Sequence, residues 1–289
     1  MFYSPLRYPG GKSKLEPLIE LLIRQNDHVG GTYIEPFAGG AGIALALLDK
    51  GVVNTVVIND LDKGISSFWK AILNESDRFL NDIQTVKLDL EEWKKQRTIV
   101  DTSHKYSYEL GFATFYLNRT NRSGIIKGGV IGGVNQDGDW KMDARFNRDN
   151  LCARIRNIIQ YKDRIHIYNK EVMTFLDSYL PKYDNNSFIY FDPPYYAKGK
   201  QLYLNFLTAD DHKRIKERIA QIEKSDWVIT YDDVPEIDCL YDGYIKRRFN
   251  LNYSVGTRRN ASEIIIFKRE DLIPSDSVLN DNNIFINMR

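Results

Sequence analysis

Residues 32–48 constrain the fold most. Thr32-Tyr33-Ile34-Glu35 leads into Pro36-Phe37-Ala38-Gly39-Gly40-Ala41-Gly42, and Ile43-Ala44-Leu45-Ala46-Leu47-Leu48 follows. This order reads as a strand, a glycine-rich turn and a buried helix, the opening of a doubly wound α/β sheet that binds a nucleoside-containing ligand at the turn. A second strand, Val56-Val57-Ile58, ends in Asn59-Asp60, and Asp60 follows Gly39 by 21 positions. That is near the spacing at which an acid accepts ribose hydroxyls. Gly40-x-Gly42 lacks the third glycine of a dinucleotide turn, because position 45 is Leu. A single nucleoside such as S-adenosylmethionine therefore fits better than a dinucleotide with its pyrophosphate.

A later strand carries the candidate chemistry. Phe188-Ile189-Tyr190-Phe191 is an apolar run that stops at Asp192-Pro193-Pro194-Tyr195-Tyr196. Neither proline can donate a ladder hydrogen bond, so the strand ends there. Ligands of open α/β sheets bind off the carboxyl ends of strands, which turns this acid toward the site. The lone pair of an exocyclic base amine is delocalised into the ring. A carboxylate on Asp192 and the Pro193 carbonyl, each accepting one N–H, would localise that pair while Tyr195 stacks on the base. The bare motif also fits a strand-ending turn with a solvated acid.

The N-terminal stretch Pro5-Leu6-Arg7-Tyr8-Pro9-Gly10-Gly11-Lys12-Ser13 is a turn before a helix with Leu15, Leu18, Ile19, Leu22 and Ile23 at helical spacing. It is not a phosphate loop, since the glycine required five places before Gly11 is Leu6. Gly10 and Gly11 allow close backbone approach to a ligand, with Lys12 aimed at an anion or a site carboxylate. An exposed lysine at a helix start is the plainer alternative.

Residues 62–118 read as helices whose aromatics belong to a core. From Arg119 to Arg164 there are ten lysines and arginines against five aspartates and no glutamate, a local net of +5. Asn135-Gln136-Asp137-Gly138-Asp139 reads as a hairpin turn between Val130-Ile131 and Trp140-Lys141-Met142. Arg119, Arg122, Lys127, Lys141 and Arg145 suit phosphates, and Asn118, Asn121, Asn135 and Gln136 suit base edges. A solvated basic loop is the alternative. The sheet resumes at 164–168, continues through 188–192 and 227–231, and ends in two strands at 245–249 and 264–268, paired antiparallel. Between these, Arg258 and Arg259 are further DNA candidates, and 197–203 is a basic stretch placed to close over a substrate.

With 289 residues, the chain has room for one large domain or one domain with an insertion. A net charge of +1 decides nothing about nucleic acid. Two cysteines exclude a disulfide framework, and four scattered histidines give no zinc site. The start lacks a basic segment followed by an apolar one, and no run reaches the roughly 18 apolar residues of a membrane span. A soluble, cytoplasmic protein without metal is expected.

Arg7 to Lys12, Glu35 to Gly42, Asn59-Asp60, the insertion from Asn118-Arg119 to Asn147, and Asp192-Pro193-Pro194-Tyr195 occur in this order. Over about residues 5–268 the sequence resembles the Dam-like (class alpha) DNA adenine N6-methyltransferase family. The resemblance implies a Rossmann-like S-adenosylmethionine-dependent methyltransferase sheet from 1–74 and 164–289, with a mainly helical and hairpin target-recognition insertion at 75–163. It places Tyr8 and Lys12 on the cofactor, Asp60 on its ribose, and Glu35, Phe37 and Gly39 beneath its methionine part. Asp192 becomes the catalytic acid, close also to the cofactor, and Tyr195 the ring that stacks on the extruded adenine. Where the family has an acid after the third strand, this chain has Asn169-Lys170-Glu171, with Glu171 the nearest substitute.

The expected function is site-specific N6 methylation of a flipped adenine in double-stranded DNA by a monomer, as in restriction–modification, with no metal and no covalent enzyme intermediate. Cytosine C5 chemistry is set aside because neither Cys152 nor Cys239 follows a proline. The rivals are another amine acceptor (cytosine N4, RNA or a protein amide), a catalytically silent DNA-binding homologue, and a small-molecule dehydrogenase.

Overall fold

β1 (Thr32–Glu35) forms as expected and lies in the interior of a seven-stranded sheet. The computed structural model describes residues 3–7, 12–183, 185–197, 207–252, 260–282 and 284. The other strands are β2 (Thr55–Asn59), β3 (Ile165–Tyr168), β4 (Ser187–Phe191), β5 (Asp226–Asp232), β6 (Ile245–Asn252) and β7 (Asn260–Phe267). Their order is β3-β2-β1-β4-β5-β7-β6. The first five run parallel, and β7 lies antiparallel between β5 and β6. Strand order reverses between β1 and β4, which makes their carboxyl ends the topological switch point. β6 and β7 are longer than expected: β7 begins at Asn260, four residues before the apolar run that announced it. That extension brings Glu263 into the sheet opposite Asp232.

Alternate residues face opposite cores. Tyr33, Val56, Ile58, Phe188 and Tyr190 join a cluster with α1 (Glu16–Gln25), α2 (Gly42–Asp49) and α3 (Lys63–Asn74). α2 is buried from Ile43 through Leu48, and each of its large side chains contributes about 1.5–3 kcal/mol by leaving water. Between α3 and β3 come α4 (Ser76–Thr85), α5 (Leu90–Thr102), α6 (Tyr108–Thr120) and α7 (Arg148–Ile159). These share the first cluster with the sheet, and Phe68, Phe79 and Phe115 meet ring to ring. Most aromatics of this region are core, as expected, whereas Tyr106 is exposed. α8 (Val172–Ser178), α9 (Ala209–Ile219) and α10 (Pro235–Leu240) cover the second face over Ile34, Val57, Ile189, Phe191, Ile229 and Tyr231.

The expected hairpin at 130–142 does not form. Val130 bridges Asn121 instead, and residues 131–136 are turns. Gly132 and Gly133 take φ of +85° and +77°, rolling the chain back on itself. The Gln136 amide then donates to the Ile131 and Gly133 carbonyls and accepts from Met142 N–H. Local satisfaction of the backbone replaces the ladder that the turn residues suggested. No helix among the described residues is long and apolar enough to cross a membrane.

Candidate active site

The site gathers at the carboxyl edge of the parallel strands. At the end of β1, Glu35 is buried and accepts the Tyr33 hydroxyl at 3.0 Å. Burial, with the Asp192 carboxylate nearby, pushes its carboxyl up to about 8 against the pull of its hydrogen bonds. The turn beyond has left-handed φ of +47° at both Gly39 and Ala41, and Phe37 packs partly buried over the second core. Gly39 N–H donates to Asp60 Oδ2 at 2.8 Å and its carbonyl accepts Trp69 Nε1 at 3.0 Å. Thus the acid 21 positions downstream reaches the glycine turn that the spacing linked it to. Loss of hydration, reinforced by Asp62, raises Asp60 to about 7. Asn59 ties three loops together, donating to the Pro36 and Lys170 carbonyls and accepting from Lys170 N–H.

Asp192 sits just past β4 with its side chain 26% exposed. Its Oδ1 accepts Lys12 Nζ at 2.7 Å and Thr230 Oγ1 at 3.0 Å. Thr230 is held in turn by the Tyr190 hydroxyl at 2.8 Å. Oδ2 accepts no hydrogen bond among the described residues, and neither does the Pro193 carbonyl. Lys12 is buried; that burial opposes its charge, but Asp192 and Glu263 outweigh it and hold its pKa well above the usual value. Of the two roles expected for Lys12, pairing with a site carboxylate is the one the structure displays. Glu263 on β7 lies 3.3 Å from Lys12 Nζ and accepts the Tyr195 hydroxyl at 2.7 Å. Tyr195 is 9% exposed, its ring centre 4.9 Å from the Lys12 ammonium.

Several expected DNA contacts have other work. Asn118 is buried, exchanging hydrogen bonds with the Arg7 backbone and donating to the Gly124 carbonyl. Asn121 is buried too, its amide given to the Ile125 and Ile126 carbonyls and its oxygen to Trp93 Nε1, so it has nothing to offer a base edge. Gln136 is committed to its loop as described, and Lys141 Nζ donates to the Gln136 carbonyl. Glu171 caps α8 by accepting Met173 and Thr174 N–H, which is a structural task. Arg122, Lys127, Asn135 and Arg145 are exposed.

Arg119 donates Nε to the Arg145 carbonyl, and burial with Arg7, Arg154 and Arg145 close by lowers its guanidinium to about 9. Four arginines thus converge where the N-terminal segment meets the end of α6. Tyr8, Gly10, Gly11, Arg258 and Arg259 lie outside the described residues, as does most of the expected closing stretch.

Thr230, Tyr190, Asp232 and Glu263 were given no role from sequence, because each acts through neighbouring strands that no local pattern encodes. A cavity of about 590 Å³ between α4, α5 and α6 borders none of these residues.

A sequence model of the D12 class N6 adenine-specific DNA methyltransferases matches residues 8–258. The chain is 25% identical over 261 residues to Type II methyltransferase M.MjaIII of Methanocaldococcus jannaschii, covering 83% of this chain and 88% of that protein. It is 24% identical over 278 residues to Type II methyltransferase M.CviBI of Paramecium bursaria Chlorella virus NC1A, covering 90% and 97%. A 203-residue match to the Modification methylase StsI of Streptococcus sanguinis, 25% identical, spans 66% of this chain and 28% of that longer protein.

Proposed function

The chain belongs to the D12 class of N6 adenine-specific DNA methyltransferases, and we propose that its strand-edge site methylates the exocyclic amine of one flipped adenine in duplex DNA. The observation that carries the mechanism is the state of Asp192. Lys12 and Thr230 both engage Oδ1, which fixes the carboxylate and turns Oδ2 toward an incoming donor. Oδ2 accepts one N6 hydrogen and the Pro193 carbonyl the other, pulling the amine toward tetrahedral geometry and freeing its lone pair. Tyr195 supplies the stacking face. Positioning and preorganised charge supply the acceleration.

The donor set fits S-adenosylmethionine. Asp60 suits ribose hydroxyls, the acid at Glu35 suits the cationic methionine part, and the left-handed turn at Gly39 and Ala41 brings backbone N–H groups close. Tyr8, Lys12 and Phe37 complete that set, and the cofactor when bound supplies an electrophilic methyl on a sulfonium. Each Asp60 oxygen accepts one N–H, from Gly39 and Asp62, and keeps a lone pair with which it can accept a ribose hydroxyl.

DNA is held on the insertion, 75–163, with the catalytic domain formed by 1–74 and 164–289. Burial lowers the basicity of Arg7, Arg119 and Arg154, and neighbouring arginines add to it at Arg7 and Arg119, a cost that a phosphate would offset. Arg122, Lys127 and Asn135 extend this face, and Arg258 is a further contact. One site acts on one strand, so a monomer suffices. The type II names of the relatives support a modification role beside a nuclease.

The test compares acceptors. Labelled methyl from S-adenosylmethionine is offered to unmethylated duplex DNA, RNA and protein, and DNA is hydrolysed to nucleosides. Label in N6-methyladenine supports the reading. Label only in cytosine N4, RNA or protein overturns it.

A further inference from the structure

The turn that carries Tyr195 is held from the neighbouring strands β5 and β7 by two carboxylates that the reaction itself does not require. Asp232 ends β5 and Glu263 lies opposite it on β7, as paired residues of the antiparallel ladder. Asp232 Oδ1 accepts Tyr196 N–H at 2.8 Å, and Oδ2 accepts Ala197 N–H at 2.9 Å. Glu263 Oε1 accepts the Tyr195 hydroxyl at 2.7 Å. One acid therefore fixes the backbone just after the tyrosine and its neighbour fixes the tip of the side chain.

We propose that Asp232 and Glu263 are positioning residues that lock Tyr195 in the orientation that receives the target base. This deepens the adenine-methyltransferase reading and rests on it. Glu263 is 1% exposed and precedes Ile264-Ile265-Ile266-Phe267, all buried. An apolar residue there would serve the core at no electrostatic cost, whereas a buried carboxylate loses hydration and needs partners to stay. Among the described residues its partners include the two side chains that border Asp192: Lys12, shared with Asp192, and Tyr195. The geometry is that of a brace. A stacking ring on an unbraced turn would sample several rotamers and lose orientation before each turnover.

Wild-type transfer to adenine is established and the methylated position mapped first; failure there sinks the underlying reading, not this inference. 2-Aminopurine is then placed at the mapped adenine, and Glu263→Gln, Asp232→Asn and Tyr195→Phe are compared with wild type for kcat, DNA affinity and emission. The brace predicts that Glu263→Gln and Asp232→Asn lower kcat about tenfold to a hundredfold. DNA affinity should stay within about threefold. Emission should brighten, because the flipped base is no longer held against the ring. Tyr195→Phe should also brighten it, and adding Glu263→Gln to Tyr195→Phe should cost little more than the worse single change. Unchanged kcat, or a lower kcat with unchanged emission, overturns the proposal. Should Asp232→Asn fail to fold, Glu263→Gln and Tyr195→Phe, which keep side-chain shape, decide it.

Discussion

The Asp192 carboxylate is defined by what holds it as much as by its own position. Thr230 spends its hydroxyl on Asp192 Oδ1 and is itself held by Tyr190. Thr230→Val removes both links at nearly constant volume. It should lower single-turnover methyl transfer about tenfold, and strand the buried Tyr190 hydroxyl at about 1–3 kcal/mol of stability, read from denaturant melts. Unchanged turnover would show that Lys12 alone orients Asp192.

Glu35 and Asp60 make a second residue-scale prediction. Their carboxyls are raised to about 8 and about 7, so each binds more protons folded than unfolded. Their favourable contribution is complete below the ordinary carboxylate range and is lost as pH rises through those raised values. A cationic ligand binds their ionised forms, so S-adenosylmethionine affinity should tighten from about pH 6 to about pH 8.5, with fewer protons released per binding event toward the alkaline end. Calorimetry across that range checks it, and Glu35→Gln should flatten the dependence. Asp192, the Gly39–Asp60 pair and the aim of Lys12 were legible because each rests on a local break or a fixed spacing. Asn118 and Asn121 misled because an asparagine that caps a loop and one that reads a base look alike in sequence.

At the scale of elements, α6 is fastened to α3 by close helix packing. Gly111 on α6 lies so near α3 that a Cβ there would meet the Ser67 carbonyl oxygen at 2.5 Å. Gly111→Ala gains about 1 kcal/mol of helix propensity. It must also push apart two backbones, so a net loss of about 1–3 kcal/mol is expected in a thermal or denaturant melt. A stabilised variant would contradict the packing described here. The strand elements were readable from apolar runs and their prolines, and β7 outgrew its apolar run because pairing with both β5 and β6 extends it. The 130–142 segment carried correct turn residues but no ladder, since two left-handed glycines and the Gln136 amide close it locally. Composition showed the basic character of that segment; which of its side chains remain outward was settled only by packing.

Across the whole molecule, the N-terminal segment joins the two working regions. Arg7 is pinned to Asn118 on α6, while Lys12, five residues later, reaches Asp192 and Glu263. On the proposed function, DNA bound at the arginine cluster would be linked through a short span of sequence to Asp192. If Arg119 and Arg145 each neutralise a phosphate, replacing either with Ala should weaken binding to all duplexes alike and reduce the salt slope by about 1. An unaltered slope would move the DNA elsewhere.

The most direct test of the central claim is single-turnover transfer of labelled methyl to duplex DNA by wild type and Asp192→Ala, with cofactor binding measured in both. The account predicts label in N6-methyladenine from wild type and a loss of about a thousandfold or more in the variant while the cofactor still binds. Undiminished transfer by Asp192→Ala, or label in any other nucleoside, would contradict it.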